Sequence, residues 1–257
     1  MKTVTSILAI ILCIFLVGWL GLQVKPAPFP PFGQSVDLEQ TVPLPSGLPK
    51  PVERFYRLKY GERVPVIRSV VWSGRGTIKP FGVPLPIRFR FYHDAGQDFR
   101  SEIDATFFGL RLFRATETLI DGRGWANTPG GVEAGEKIDQ ANTLRMWAEY
   151  ILWAPSVLLT DPRVRWEPVD AATAVLVVPF GQGEERFIVR FDPGSGEFQY
   201  FEAMRYPSSK REKALWINGT WFEDGKPWAN FVIEETLYNV DVQAAIRGDD
   251  PQITFQK

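Results

Sequence analysis

Between Lys2 and Lys25 the chain carries no charge. The run from Thr3 to Val24, TVTSILAIILCIFLVGWLGLQV, would rise roughly 33 Å as a helix, enough to cross a hydrocarbon core of about 30 Å. A secretory signal is the rival reading. Its apolar part would run about 7–15 residues and end at a pair of small residues flanking a cleavage site. Here the run is longer, and Leu22, Gln23, Val24, Lys25 and Pro26 offer no such pair. Cys13 does not fit a lipoprotein site either, because Leu12 stands before it and the apolar run continues past it. The expectation is an uncleaved single-pass membrane anchor over 3–24. Lys2 and the α-amino group on one side, against Lys25 on the other, place the N-terminus in the cytoplasm and the body outside it.

The rest reads as a proline-rich linker over 25–50 and a single β-rich domain over 51–257. Eight prolines from Lys25 to Pro51 inclusive remove backbone donors and favour extended geometry, which suits a semi-rigid spacer. The other reading is a tail wrapped over the domain surface. A net charge of −1 argues against a nucleic-acid surface or a polybasic lipid patch. The only cysteine lies in the apolar run, so the body has no disulfide and must stand on its own core. Of the chain's nine Trp and nineteen Phe, eight and sixteen fall in the domain over 51–257 and can supply one.

Local grammar divides the body. Val52 to Tyr60 predicts a short amphipathic helix, opened by Pro51 and closed by Gly61. From Val64 the period becomes two. Ile87, Phe89 and Phe91 alternate with Arg88 and Arg90. Phe99, Ser101, Ile103, Ala105 and Phe107 alternate with Arg100, Glu102, Asp104 and Thr106. These are half-buried strands with charges outward. Further strands are expected at Val66–Ile78, Ala115–Ile120, Val164–Val169, Ala174–Val178, Arg186–Phe191, Phe198–Met204, Leu215–Phe222 and Trp228–Leu237. Turn residues such as Asp121-Gly122, Gly181-Gln182-Gly183, Asp192 to Gly196 and Asp224-Gly225 separate them, so the strands form an antiparallel meander.

One long helix interrupts the strands, Asp139 to Trp153. Leu144, Trp147, Ala148, Ile151 and Leu152 share a face, Met146, Tyr150 and Trp153 lie opposite, and only Asn142, Arg145 and Glu149 make a polar stripe. A helix apolar almost all round is buried on two sides. Ser156 to Thr160 adds a short second helix. The fold class expected is therefore mainly β. It is a large curved antiparallel sheet, an unclosed barrel, with a helical lid in its concave face, preceded by one transmembrane helix.

The succession Pro51 to Arg57, Ile67-Arg68, Gly74 to Gly76, Pro80-Phe81, Asp121-Gly122, Glu149 to Pro155 and Val164 to Asp170 resembles a bacterial family known only as a domain of unknown function. Its most specific piece is Glu149…Trp153-x-Pro155 followed by Arg165-Trp166-Glu167, and the likeness covers most of residues 47–240. The resemblance implies an N-terminal membrane segment in many members and no established activity. The architecture is also similar to the unclosed β-barrel with helical lid of lipoprotein-localisation factors.

Catalytic constellations fall by subtraction. His93 is the only histidine, and no Gly-x-Ser-x-Gly elbow accompanies it; its expected state is a partly exposed residue at a strand end. One histidine and one cysteine cannot furnish a zinc site, calcium loops are missing, and Gly74-x-Gly76 is not followed by a helix, as a phosphate cradle requires. Asn218-Gly219-Thr220 matches a glycosylation acceptor but falls in an expected strand. No cofactor, metal or nucleic-acid partner is therefore expected. The ligand-binding candidates are Glu149, Arg145, Trp147, Trp153 and Arg165. Glu149 and Arg145 stand one turn apart, either as an ion pair on the helix's solvated edge or as a polar anchor in an apolar pocket, with Arg165 as a further partner. The function expected is a non-catalytic, membrane-tethered domain that binds a membrane lipid or other apolar small molecule. The alternatives are a structural or interaction domain with a protein partner in a cell-envelope complex, its core filled, and a carboxylate-dependent enzyme on an apolar substrate.

Overall fold

The computed structural model describes residues 2–36, 38–80, 82–206, 212–217, 219–223 and 225–248. In chain order the elements are α1 (Lys2–Gln23), β1 (Thr41–Pro43), α2 (Lys50–Tyr60), β2 (Arg63–Pro65), β3 (Ser69–Ile78), β4 (Leu85–Asp94), β5 (Phe99–Phe107), β6 (Leu110–Ile120), β7 (Arg123–Thr128) and β8 (Gly131–Ala134). Then follow α3 (Glu136–Trp153), α4 (Val157–Thr160), β9 (Arg165–Pro168), β10 (Thr173–Phe180), β11 (Gly183–Phe191), β12 (Phe198–Arg205), β13 (Glu212–Ile217), β14 (Thr220–Glu223), β15 (Lys226–Tyr238) and α5 (Gln243–Arg247).

Two meanders make one sheet. β3 to β8 run in sequence order on one side, β9 to β15 on the other, and β15 pairs with β3 to give a 13-stranded order with β8 and β9 as its edges. Every pairing is antiparallel. Because β8 and β9 do not pair with each other, the sheet stays open. The inward set of the alternation (Trp72, Ile87, Phe89, Phe91, Phe99, Ile103) is buried in one core with Phe187, Phe201 and Trp216 of the other meander. A smaller cluster on the outer face gathers Val71, Tyr92, Ile120 and Leu237 under Val242 and Ile246 of the α5 region.

Helix α3 lies within the concave face. Every residue from Asp139 to Ile151 is buried, as a helix with so narrow a polar stripe requires. Its first half is held to both meanders. The Asn142 amide donates to the Thr118 carbonyl at 2.9 Å, and the Gly124 amide donates to Asp139 at 2.6 Å. On the other side Gln140 donates to the Met204 carbonyl at 2.8 Å and Arg205 to the Ala141 carbonyl at 3.0 Å. α2 closes the far end, with Val52 and Tyr56 fully buried and the Tyr56 hydroxyl donating to the Pro155 carbonyl at 2.7 Å.

Three local expectations change. The strand expected over Leu215–Phe222 is two strands, β13 and β14, closed around Gly219 with φ +76°; Asn218 and Asp224 lie outside the described residues. The outward charges of β4 and β5 are not all solvated. Arg90 is 5% exposed and Asp104 is fully buried, with Arg88 and Arg114 donating to its carboxylate at 3.0 Å and 2.7 Å. The proline-rich segment explains this, because it lies along the outer face and does not stand clear as a spacer. Prolines lack N–H groups but keep their carbonyls, and main-chain carbonyls of this segment accept from the arginines: Pro26 from Arg75, Ala27 from Arg88, Pro30 from Arg90. The Phe29 ring sits 4.5 Å from the Arg88 guanidinium and 5.1 Å from that of Arg90. α1 itself is long and apolar enough to cross a membrane over Thr5–Gln23, with mean hydropathy 2.5, and only 6% of that stretch is buried.

Candidate functional site

The polar stripe of α3 meets the sheet at four inward-facing strand positions. His93 follows Phe89 and Phe91 in phase on β4, and Glu117 stands between Ala115 and Leu119 on β6. Arg205 continues Phe201 and Ala203 on β12, and Glu223 follows Trp221 on β14. Strand alternation therefore delivers one ionisable group from each strand to the concave side.

Arg145 and Glu149 are the centre of this arrangement. Arg145 Nε donates to Glu149 Oε1 at 2.8 Å, and its Nη1 donates to Glu117 Oε2. Glu149 Oε2 lies 2.7 Å from His93 Nε2, and His93 Nδ1 lies 3.3 Å from the Tyr150 hydroxyl. That hydroxyl already accepts from the Gly96 amide at 3.2 Å. Its own hydrogen then points to Nδ1, which leaves Nε2–H to donate to Glu149. The chain of bonds runs from a loop amide through tyrosine, histidine and carboxylate to arginine.

Burial sets the electrostatics. It presses the Glu149 carboxyl upward, yet the Arg145 charge and the His93 bond outweigh it and hold the group below the usual carboxylate range. Burial likewise opposes the charge on Arg145, and Glu117 and Glu149 more than restore it. Arg205, also deeply buried, is pushed down by desolvation, and Glu223 is pushed up by the same cause. The Arg145 guanidinium lies 4.8 Å from the Phe91 ring and that of Arg205 4.3 Å from the Trp221 ring.

A pH dependence follows. A carboxylate with a depressed folded-state pKa contributes stability that is complete above its unfolded pKa, about 4, and is lost as pH falls through the folded value. Glu149 and Asp104 both behave so, although burial acts on each in the opposite sense. Asp98 and Glu223, whose pKa values are raised, act against them at milder acidity. The melting temperature should therefore fall steeply only below about pH 4, and Glu149→Gln should make that acid limb shallower. An unchanged limb in the variant would remove Glu149 from the account.

The five candidate residues separate. Arg145 and Glu149 come together within the concave face, whereas Trp147, fully buried, lies on another side of the helix with the Tyr150 ring at 5.7 Å. Glu149 is 5% exposed and is neither on a solvated edge nor at a rim. Its partner His93 is fully buried, not a partly exposed strand end. Trp153 is half-buried, with Trp72 at 5.3 Å and Phe231 at 6.5 Å between ring centroids. Arg165 does not join them. It lies on edge strand β9 and pairs with Glu184 and Glu167, because the β9–β10–β11 register turns its side chain toward their exposed face.

The concave side also holds donors with no hydrogen-bond partner among the described residues: Arg145 Nη2 and the indole nitrogens of Trp72, Trp147, Trp166 and Trp221. No group of three or more His, Cys, Asp or Glu suited to a metal occurs among the described residues.

Residues 39–227 match the model of the family described as "Family of unknown function (DUF6544)", and the chain belongs to that family. No curated protein matches the sequence. Two solved structures are similar at low identity. One is a domain assigned to outer membrane lipoprotein sorting from Vibrio parahaemolyticus (TM-score 0.39, 8% identity, 72% of this chain and 91% of that chain). The other is a DUF1329 family protein from Desulfovibrio piger (TM-score 0.39, 13% identity, 72% of this chain and 92% of that chain).

Proposed function

We propose that this member of a family of unknown function is a membrane-held binding domain. It takes an apolar molecule with an acceptor-rich or anionic head between α3 and the concave sheet. α1 would hold the chain in a membrane, with its N-terminus cytoplasmic and the body on the far side. One observation carries the reading. Arg145 is 2% exposed, yet its Nη2 has no partner among the described residues. A buried donor left unpaired costs about 1–3 kcal/mol, more when charged, so a ligand oxygen placed there would recover that loss. The aromatic walls at Phe91, Phe99 and Trp221, together with half-buried Trp153, suit the apolar part. Two buried arginines with three carboxylates give the head a polar seat without a large net charge.

The tightness of the core favours a second reading, a structural or interaction domain in an envelope assembly. The void between Phe55, Ile151 and Phe198 is only about 10 Å³, scarcely room for one water. A catalytic reading has less support. Both nitrogens of His93 are engaged by Glu149 and Tyr150, which leaves neither free to serve a hydroxyl nucleophile.

Fluorescent fatty-acid binding to the full-length protein in detergent tests the proposal. The wild type should bind, and Arg145→Lys, which keeps the charge but loses the second terminal nitrogen, should bind about tenfold more weakly. Melting curves measured alongside separate lost binding from lost folding. A wild type that takes up no apolar probe, together with no lipid released from the native protein in mass spectrometry, would leave the structural reading standing.

A further inference from the structure

The β5–β6 hairpin turns on Phe108 and Gly109, both with positive φ, 52° and 74°. Glycine or asparagine normally fills the first of these positions, since a bulky side chain there is strained. The strain puts an aromatic ring at the tip, where Phe108 is 43% exposed. Leu110 and Leu112 follow at 74% and 56% exposed. Three large apolar side chains in five residues thus face out from one corner of the sheet, next to Arg111, whose side chain is 54% exposed.

The end of α1 lies on this corner. The Phe108 amide donates to the Gly21 carbonyl at 2.9 Å. A Cβ on Gly21 would come within 2.3 Å of the Phe107 ring, and one on Gly109 within 3.5 Å of Val24, so glycine at 21 permits the approach. Gly21 belongs to the last apolar turn of α1, one turn before Lys25, the first charge after the uncharged run. Where such a helix leaves a bilayer, that turn lies at the boundary of hydrocarbon and headgroups. A main-chain hydrogen bond to it sets the hairpin tip at the same depth. Val83, 47% exposed in the β3–β4 loop, belongs to the same end of the sheet, because Ile78 pairs with Leu85 and Ile87 with Ala105.

We propose that this end of the sheet is a second membrane contact. Phe108, Leu110 and Leu112 enter the headgroup layer of the bilayer that holds α1, and Arg111 reaches lipid phosphate. The inference rests on the reading of α1 as membrane-spanning. It deepens the binding proposal by placing the domain against its source of lipid and fixing which end faces it. The occupant is a lipid surface because the tip is joined directly to an apolar helix and combines leucine with a guanidinium, the pairing that suits an interface.

The test uses the full chain in phosphatidylcholine vesicles containing anionic lipid. An environment-sensitive fluorophore is placed on Leu110→Cys or Leu112→Cys in a Cys13→Ser background, on Val169→Cys as a distant exposed control, and on native Cys13 in the otherwise unchanged chain. Labels at 110 and 112 should shift to the blue and lose most of their emission to a lipid-borne spin label, while that at 169 stays water-like. Quenching at 13 with none at 110 or 112 overturns the tip contact and leaves the anchor intact. Quenching at none of the sites overturns the anchor and the tip contact together.

Discussion

Glu149→Gln is expected to cost about 3–5 kcal/mol of stability, the range for removing one charge from a buried, hydrogen-bonded pair. For a domain of this size that amounts to a fall of about 10 °C in melting temperature. The carboxylate accepts from Arg145 at 2.8 Å and faces His93 at 2.7 Å, and it is 5% exposed, so solvent offers little compensation. The amide leaves Arg145 with Glu117 as its one remaining anion and turns an N–H donor toward either the guanidinium or the imidazole, both of which already donate. A double-mutant cycle gives the sharper measurement. Arg145→Met together with Glu149→Leu removes both charges and refills the volume, and should recover part of the loss, because a buried pair is often replaceable by apolar residues at little net cost. The recovery is partial because Glu117 gives up the guanidinium that donates to it. A single-variant loss under about 1 kcal/mol would match an exposed ion pair instead and would contradict the burial described above.

The same residues show how much could be read in advance. Period-two alternation from Val64 onward gave the antiparallel meander, and the nearly all-apolar wheel of 139–153 gave a helix covered on two sides. Both follow from where apolar side chains must go, which local pattern expresses directly. The partners of Glu149 were less visible, because contact across a sheet depends on topology. Yet a signal existed. His93, Glu117, Arg205 and Glu223 each occupy the inward phase of a strand whose neighbouring inward residues are Phe91, Ala115, Ala203 and Trp221. A polar residue in the apolar phase marks a buried polar group before any partner is known. Arg165 misled for the opposite reason. Its neighbours Trp166 and Glu167 form a distinctive motif, but on an edge strand a motif can serve pairing with Glu184 and nothing deeper. The proline-rich segment was ambiguous because composition reports backbone stiffness and not the arginines waiting on the outer face. β7 and β8 carry no legible pattern, since Arg123–Thr128 and Gly131–Ala134 hold too few apolar residues to show a period.

Gly76→Ala should be the most damaging small substitution in the chain, and Gly76→Val should abolish folding. In β3 a Cβ at position 76 would lie 1.9 Å from the Asn230 carbonyl oxygen, and one at position 74 would lie 2.0 Å from that of Val232. Both obstacles are backbone, so no side-chain rotation relieves them. Overpacking usually costs about 1–3 kcal/mol and occasionally more; here the loss should reach the upper end or beyond, because β15 can retreat only by giving up its register with β3. That register, with Phe231 opposite Gly76 and Ile233 opposite Gly74, is the seam between the two meanders. Opening it would divide the concave face over which α3 is held from both sides. The Gly74-x-Gly76 pair thus serves close approach of two strands, where a phosphate cradle would need a helix to follow. Gly183→Ala is the control, since its nearest neighbour would be 3.7 Å away and it should change stability by no more than about 0.5 kcal/mol. Circular dichroism melting and limited proteolysis of the three variants decide the matter. If Gly76→Ala melts with the control, the seam is looser than its geometry indicates, and the coupling of the two half-sheets through α3 would have to rest on the helix alone.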